Sequence, residues 1–108
     1  MKIIEFSSEF DDKVLRYLRA YYSKNFSKDW RCEDETVAVF VHEEYVWRTS
    51  SHQTIVAIFE PSDIPGRSKI TVIGSGGGEG LLGFDWGSQS AAENTLAKKI
   101  EEITSSRV

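Results

Sequence analysis

Cysteine is all but missing from this chain: Cys32 is the single thiol in 108 residues. One cysteine closes no internal disulfide, so the fold draws nothing from cross-links and nothing calls for an oxidising compartment. A basic surplus is missing too. Thirteen Lys and Arg stand against seventeen Asp and Glu, for a net charge of −4. A dedicated nucleic-acid binder shows the opposite balance, so no nucleic-acid partner is expected. Long apolar runs are absent. None approaches the roughly 20 residues of a membrane span. The opening MKIIEFSSEFDDK lacks the apolar region of about 7–15 residues that a secretory leader requires. The expectation is a cytoplasmic protein with no membrane partner. What is present is ordinary for a globular domain: 40% hydrophobic and 12% aromatic residues, too many for disorder and enough for one modest core spanning 1–108.

The apolar pattern changes period along the chain. Residues 1–6 are short and β-compatible. Ser8-x-x-Asp11 has the form of a capping box, and Phe10, Val14, Leu15, Leu18, Tyr21 and Tyr22 follow on one helical arc, with Lys13, Arg16 and Arg19 opposite. That spacing predicts a helix ending near Lys24–Asn25. From Glu35 the β-branched and aromatic residues of TVAVFVHEEYVWR (36–48) and QTIVAIFE (53–60) predict two antiparallel strands turning at Thr49–Ser51. PSDIPG (61–66) reads as a loop, RSKITVIG (67–74) as a further strand, and LLGFDW (81–86) as one more short strand. Ser90-x-x-Glu93 has the form of a second capping box, and Ala92, Leu96, Ile100 and Ile103 make the stripe of a second helix. The class is α+β: an antiparallel sheet of four to five strands with two helices on one face, in the order β-α-β-β-β-(β)-α. This order is similar to that of TATA-binding-protein-like domains, a likeness of architecture alone.

Six of the eight glycines fall within residues 74–83. A phosphate loop would need a Lys-Ser or Lys-Thr step after its glycines, and no lysine occurs between Lys69 and Lys98. Gly78-x-Gly80-x-x-Gly83 matches the dinucleotide pattern by letter, but Phe84, Asp85 and Trp86 separate it from any helix start, and no further parallel strand follows. Two uses remain open. Backbone amides could converge into a nest for a small anionic ligand, with Ser75, Gly76, Gly77, Gly78, Asp85 and Trp86 as the candidate residues. Alternatively, Gly74, Gly76 and Gly78 lack side chains because neighbours lie against them, the use favoured here.

If the hairpin turns at Ser50, His42 faces Ile58 and His52 faces Arg48. The imidazoles then stand roughly 15–20 Å apart and share no metal. No ligand cluster at useful spacing exists, so neither a metal nor a cofactor is expected. The same register puts Val37, Val39, Val41 and Glu43 on the core face with Ile55, Ala57 and Phe59. A carboxylate there is costly, and a bulge near Glu43 and Glu44 that turns both outward is the favoured solution. The other face would carry Phe40, His42, Val56 and Ile58. An open sheet face this apolar suggests a partner, most simply a second copy of the chain in a homodimer. Charge is also segregated: residues 13–31 carry six basic groups and one acid, and 33–63 carry seven acids and one arginine.

The stretch VIGSGGGEGLLGFDWGS with its amphipathic C-terminal helix, preceded by the Trp47-Arg48-Thr49 step of the hairpin, resembles a family of small prokaryotic proteins of about 110 residues and unknown function. That resemblance implies no activity and transfers no catalytic residue. The expectation is therefore a non-enzymatic, self-associating module that binds a small anionic ligand or a protein. The alternative is a small enzyme using Ser75, Glu79 or Asp85 of the segment from Gly74 to Trp86, but no acid–base pair accompanies those residues and no catalytic residue is assigned.

Overall fold

The computed structural model describes residues 1–46, 51–76 and 86–105, with side chains described at 1–43, 53–74 and 93–105. Five strands, β1 (Lys2–Ser7), β2 (Phe26–Cys32), β3 (Glu35–Val46), β4 (Ser51–Pro61) and β5 (Arg67–Gly76), accompany two helices, α1 (Asp11–Tyr21) and α2 (Trp86–Ser105). The strands form one sheet in the order β1-β5-β4-β3-β2, antiparallel throughout. The class is α+β, with the helix and strand order expected. The additional strand is β2, however, the first after α1, at Phe26–Cys32. Of residues 81–86, where the sequence pattern placed it, 81–85 lie outside the described residues and Trp86 opens α2.

Each helix buries the stripe its spacing marks. Val14, Leu15 and Leu18 of α1 and Leu96, Ala97 and Ile100 of α2 are buried. They close over Phe6, Ile70, Val72, Ile55, Ala57, Phe59, Ala38 and Phe40, which the ladder register places on one face of the sheet. The core is thus a single layer between one sheet face and two helices. Tyr21, placed on the apolar arc by its spacing, is 63% exposed and lies tilted against Tyr17 instead, with ring centroids 4.9 Å apart.

Neither capping box marks the start of its helix. The Ser8 hydroxyl and amide both donate to the carbonyl of Gly66 at 3.0 Å, and the Asp11 carboxylate accepts the Ser68 hydroxyl at 2.7 Å. A 3-10 turn over Ser8–Phe10 leads into α1. Glu93 lies well inside α2, where its buried carboxylate takes the Met1 ammonium at 2.8 Å and the Gly74 N–H at 2.9 Å. These side chains tie separate elements together, a use that local spacing cannot show.

α1 stops at Tyr21, earlier than its apolar spacing predicts. The Ser23 hydroxyl donates to the Arg19 carbonyl, the Asn25 N–H donates to the Val41 carbonyl, and the Glu43 N–H donates to Asn25 Oδ1. Those last two bonds swing the chain onto β3 and start β2.

Candidate functional site

β3 reads Val-Ala-Val-Phe-Val over residues 37–41, apolar on both sides of the strand. Strands of that composition normally have both faces covered. Here the helices cover one. Pairing runs Ala38↔Phe59, Phe40↔Ala57 and His42↔Ile55, and His52 stands opposite Tyr45. The partner numbers sum to 97, against 100 for a turn at Ser50. An odd shift of three moves every β3 side chain to the opposite face relative to β4.

The consequences reach each residue assigned to the open face. Phe40 is only 1% exposed and belongs to the core. His42 also points to the helix side, half-buried, its ring edge-on to Tyr22 at 5.1 Å. Val37, Val39 and Val41 turn outward in their place, and Val56 and Ile58 stand on the open face as expected. Glu43 faces outward too, yet through unbroken pairing with Thr54 and without a bulge. The physical reason is the carboxylate itself: this register fills the interior with Phe40 and Ala38 and leaves Glu43 on the side that water reaches.

The helix-free face is built in rows. One row crosses all five strands as Lys28, Val39, Ile58, Thr71 and Ile3. The next runs Phe26, Val41, Val56 and Ile73, and Trp30 stands beside Val37. Ile3 is 56% exposed, Phe26 49%, Trp30 47% and Ile73 37%. The valines and Ile58 are half-buried by their neighbours in the sheet. At one border the apolar band meets a charged row, in which Glu60 stands 3.9 Å from Lys69 and Glu5 stands 3.6 Å from Arg67. The Lys28 ammonium lies over the Trp30 ring, 5.2 Å from its centroid, in a cation–π contact. The arrangement offers broad apolar contact bordered by paired charges and carries no constellation for covalent chemistry among the described residues.

Sequence reasoning missed Phe26 and Trp30. Their signal is a period-two pattern, Phe-x-Lys-x-Trp, weakened by the three charged residues Lys28, Asp29 and Arg31 within a seven-residue strand. Val37, Val39 and Val41 were visible as apolar but assigned to the wrong side by the turn.

The glycine segment gives a partial answer. Ser75 and Gly76 are the last residues of β5, opposite Thr54 and Gln53. Gly74 is buried and its amide serves Glu93. Trp86 opens α2. Gly77, Gly78, Glu79 and Asp85 lie outside the described residues. Among the described residues, no group of three or more His, Cys, Asp or Glu is placed to hold a metal ion. Also among them, no helix is long and apolar enough to cross a membrane.

A cleft of about 420 Å³ opens at the strand ends between the start of α1, the β2–β3 turn and the β4–β5 loop. Glu9, Asp12, Asp34 and Glu35 line it beside Arg31 and Arg67. Asp11 sits in its wall, its carboxyl raised above the ordinary value chiefly by burial, against the Ser68 hydrogen bond, which lowers it, and with Asp12 adding to the rise.

The sequence profile of one family, described as a family of unknown function (DUF6054), matches residues 5–104. No curated protein and no solved structure matches the chain. The chain belongs to that family.

Proposed function

For this member of a family without an assigned activity, we propose a non-enzymatic module that self-associates through the helix-free face of its sheet. The observation that carries the reading is the row of Ile3, Ile58 and Val39, continued by Phe26, Val41, Val56 and Ile73, set out across five strands. Two such faces stack at about 10 Å, the spacing at which apolar side chains from paired sheets interdigitate. Five strands about 4.8 Å apart and about seven residues at roughly 3.3 Å each give a face near 24 by 23 Å. That is on the order of 550 Å² per copy and about 1,100 Å² in all, above the roughly 1,000 Å² expected of a specific contact. A second copy is the simplest occupant because a two-fold axis pairs one apolar band with an identical one.

Sedimentation equilibrium tests this. Wild-type protein is expected to associate at micromolar concentration, and Val56→Lys or Ile58→Lys, which places an ammonium in the stacked band, to weaken that association at least tenfold. A wild-type chain that remains monomeric at high concentration overturns the proposal.

A further inference from the structure

We infer that β2 is a second self-association surface, an edge that pairs antiparallel with β2 of another copy and continues the sheet from five strands to ten. This goes beyond the stacked face and does not depend on it.

The two sheet edges are not alike. β1 carries Phe6 into the core, with Ile4 packed against it. All seven residues of β2 are exposed, and no proline or bulge interrupts its pairing with β3. Such an edge presents a row of outward backbone amides and carbonyls to any strand that can lie beside it.

Charge decides which strand fits. A two-fold axis perpendicular to the sheet keeps the helices of both copies on the same side, and it places one residue of β2 opposite itself. Centred on Lys28, Asp29 or Arg31, the axis sets like charges face to face. Centred on Trp30, it sets Trp30 against Trp30 and pairs Asp29 with Arg31 twice, once on each side of the axis. Lys28 then stands opposite Cys32. Among these registers, only the Trp30-centred one pairs opposite charges while avoiding a like pair, which makes the edge self-complementary. Asp29 and its neighbour Arg19 of α1, 3.6 Å apart, are both more than half exposed, leaving Asp29 room for a second partner.

A charge-swap experiment reads this register. In a pair of like chains, Arg31→Asp sets two carboxylates face to face on each side of the axis, and Asp29→Arg sets two guanidinium groups face to face there. Each variant alone is expected to lose edge pairing, its dissociation constant rising at least tenfold. In an equimolar mixture the mixed pair places two carboxylates of one chain opposite two guanidinium groups of the other, and it regains the pairing. Cross-linking gives a second readout in a Cys32→Ser background. Trp30→Cys is expected to form an oxidised dimer, because directly opposed residues lie about 4.5–5.5 Å apart. Lys28→Cys is expected to form none, its two copies standing about 13 Å apart at roughly 3.3 Å per residue. Wild-type affinity in both charge variants, a mixture no tighter than either, or a cross-link through residue 28 in place of residue 30 overturns the inference. The two surfaces are told apart with Ile58→Lys. If the edge fails and the face holds, that variant is monomeric. If the face fails and the edge holds, it associates as wild type does, and Trp30→Cys cross-links in either background.

Discussion

Backbone conformation at two residues sets local stability in opposite directions. Gly66 has φ of 81° and open space where a Cβ would stand, and its carbonyl accepts both the amide and the hydroxyl of Ser8. Strain rather than crowding opposes a side chain there, so Gly66→Ala is expected to cost about 1–2 kcal/mol. Glu33, in the β2–β3 turn, has φ of 56° with a full side chain. Glu33→Gly relieves that strain and gives back part of it as lost chain entropy, for a net gain of about 0.5–1 kcal/mol in urea unfolding. Asp11 supplies a pH signature. Burial raises its carboxyl, so the folded state holds the proton to higher pH than the unfolded chain does. Its contribution is fully present below the unfolded value of about 3.9 and is lost as pH rises through the folded value. Asp11→Asn stays neutral throughout. The variant is expected to melt above wild type at neutral pH, with the gap closing below about pH 4.

At the scale of elements, the decisive quantity is the register between β3 and β4. Phe40 and Val39 are neighbours in sequence and both apolar, yet one lies in the core and the other on the open face. Phe40→Ala is expected to cost about 3–5 kcal/mol, as deletion of a buried ring does. Val39→Thr, read at low protein concentration, is expected to stay within about 0.5 kcal/mol of wild type. Reversed costs would restore the register of a turn at Ser50. The helices and four of the strands were legible from periodicity because a single buried face imposes it. β2 was not, since in an edge strand exposed at every position the alternation of Phe26 and Trp30 is broken by Lys28 and flanked by further charges. The face assignment of β3 was not legible either. With Val, Ala, Val, Phe and Val in succession, both faces read as apolar, and only the partner strand breaks the tie.

For the whole molecule, layering matters more than any one contact. Two helices cover one side of a five-stranded sheet and leave the other side with β-branched and aromatic residues in rows. Association that buries such a face stabilises the folded state by mass action, so the melting temperature is expected to rise with protein concentration in wild type and to rise less steeply in Ile58→Lys, where only the β2 edge remains to pair. The paired charges at the border, Glu60 with Lys69 and Glu5 with Arg67, are partly exposed and contribute little to stability individually. In the proposed stacked pair their part is orientation, setting how one apolar band lies over the other.

By itself the sequence determined the class, the helix stripes, the antiparallel neighbours and an open sheet face of apolar character, because each follows from local periodicity and short connections. Tertiary structure alone decided which residues populate that face and where the polar side chains are satisfied. The three-residue register shift exchanged Phe40 and His42 for Val37, Val39 and Val41. Asp11 and Glu93 found their partners 57 and 19 residues away. The physical reason is common to both. A side chain's alternation is written in its own strand, but the face it meets and the donor it accepts belong to elements distant in the chain, and only their packing selects among choices that are locally equivalent.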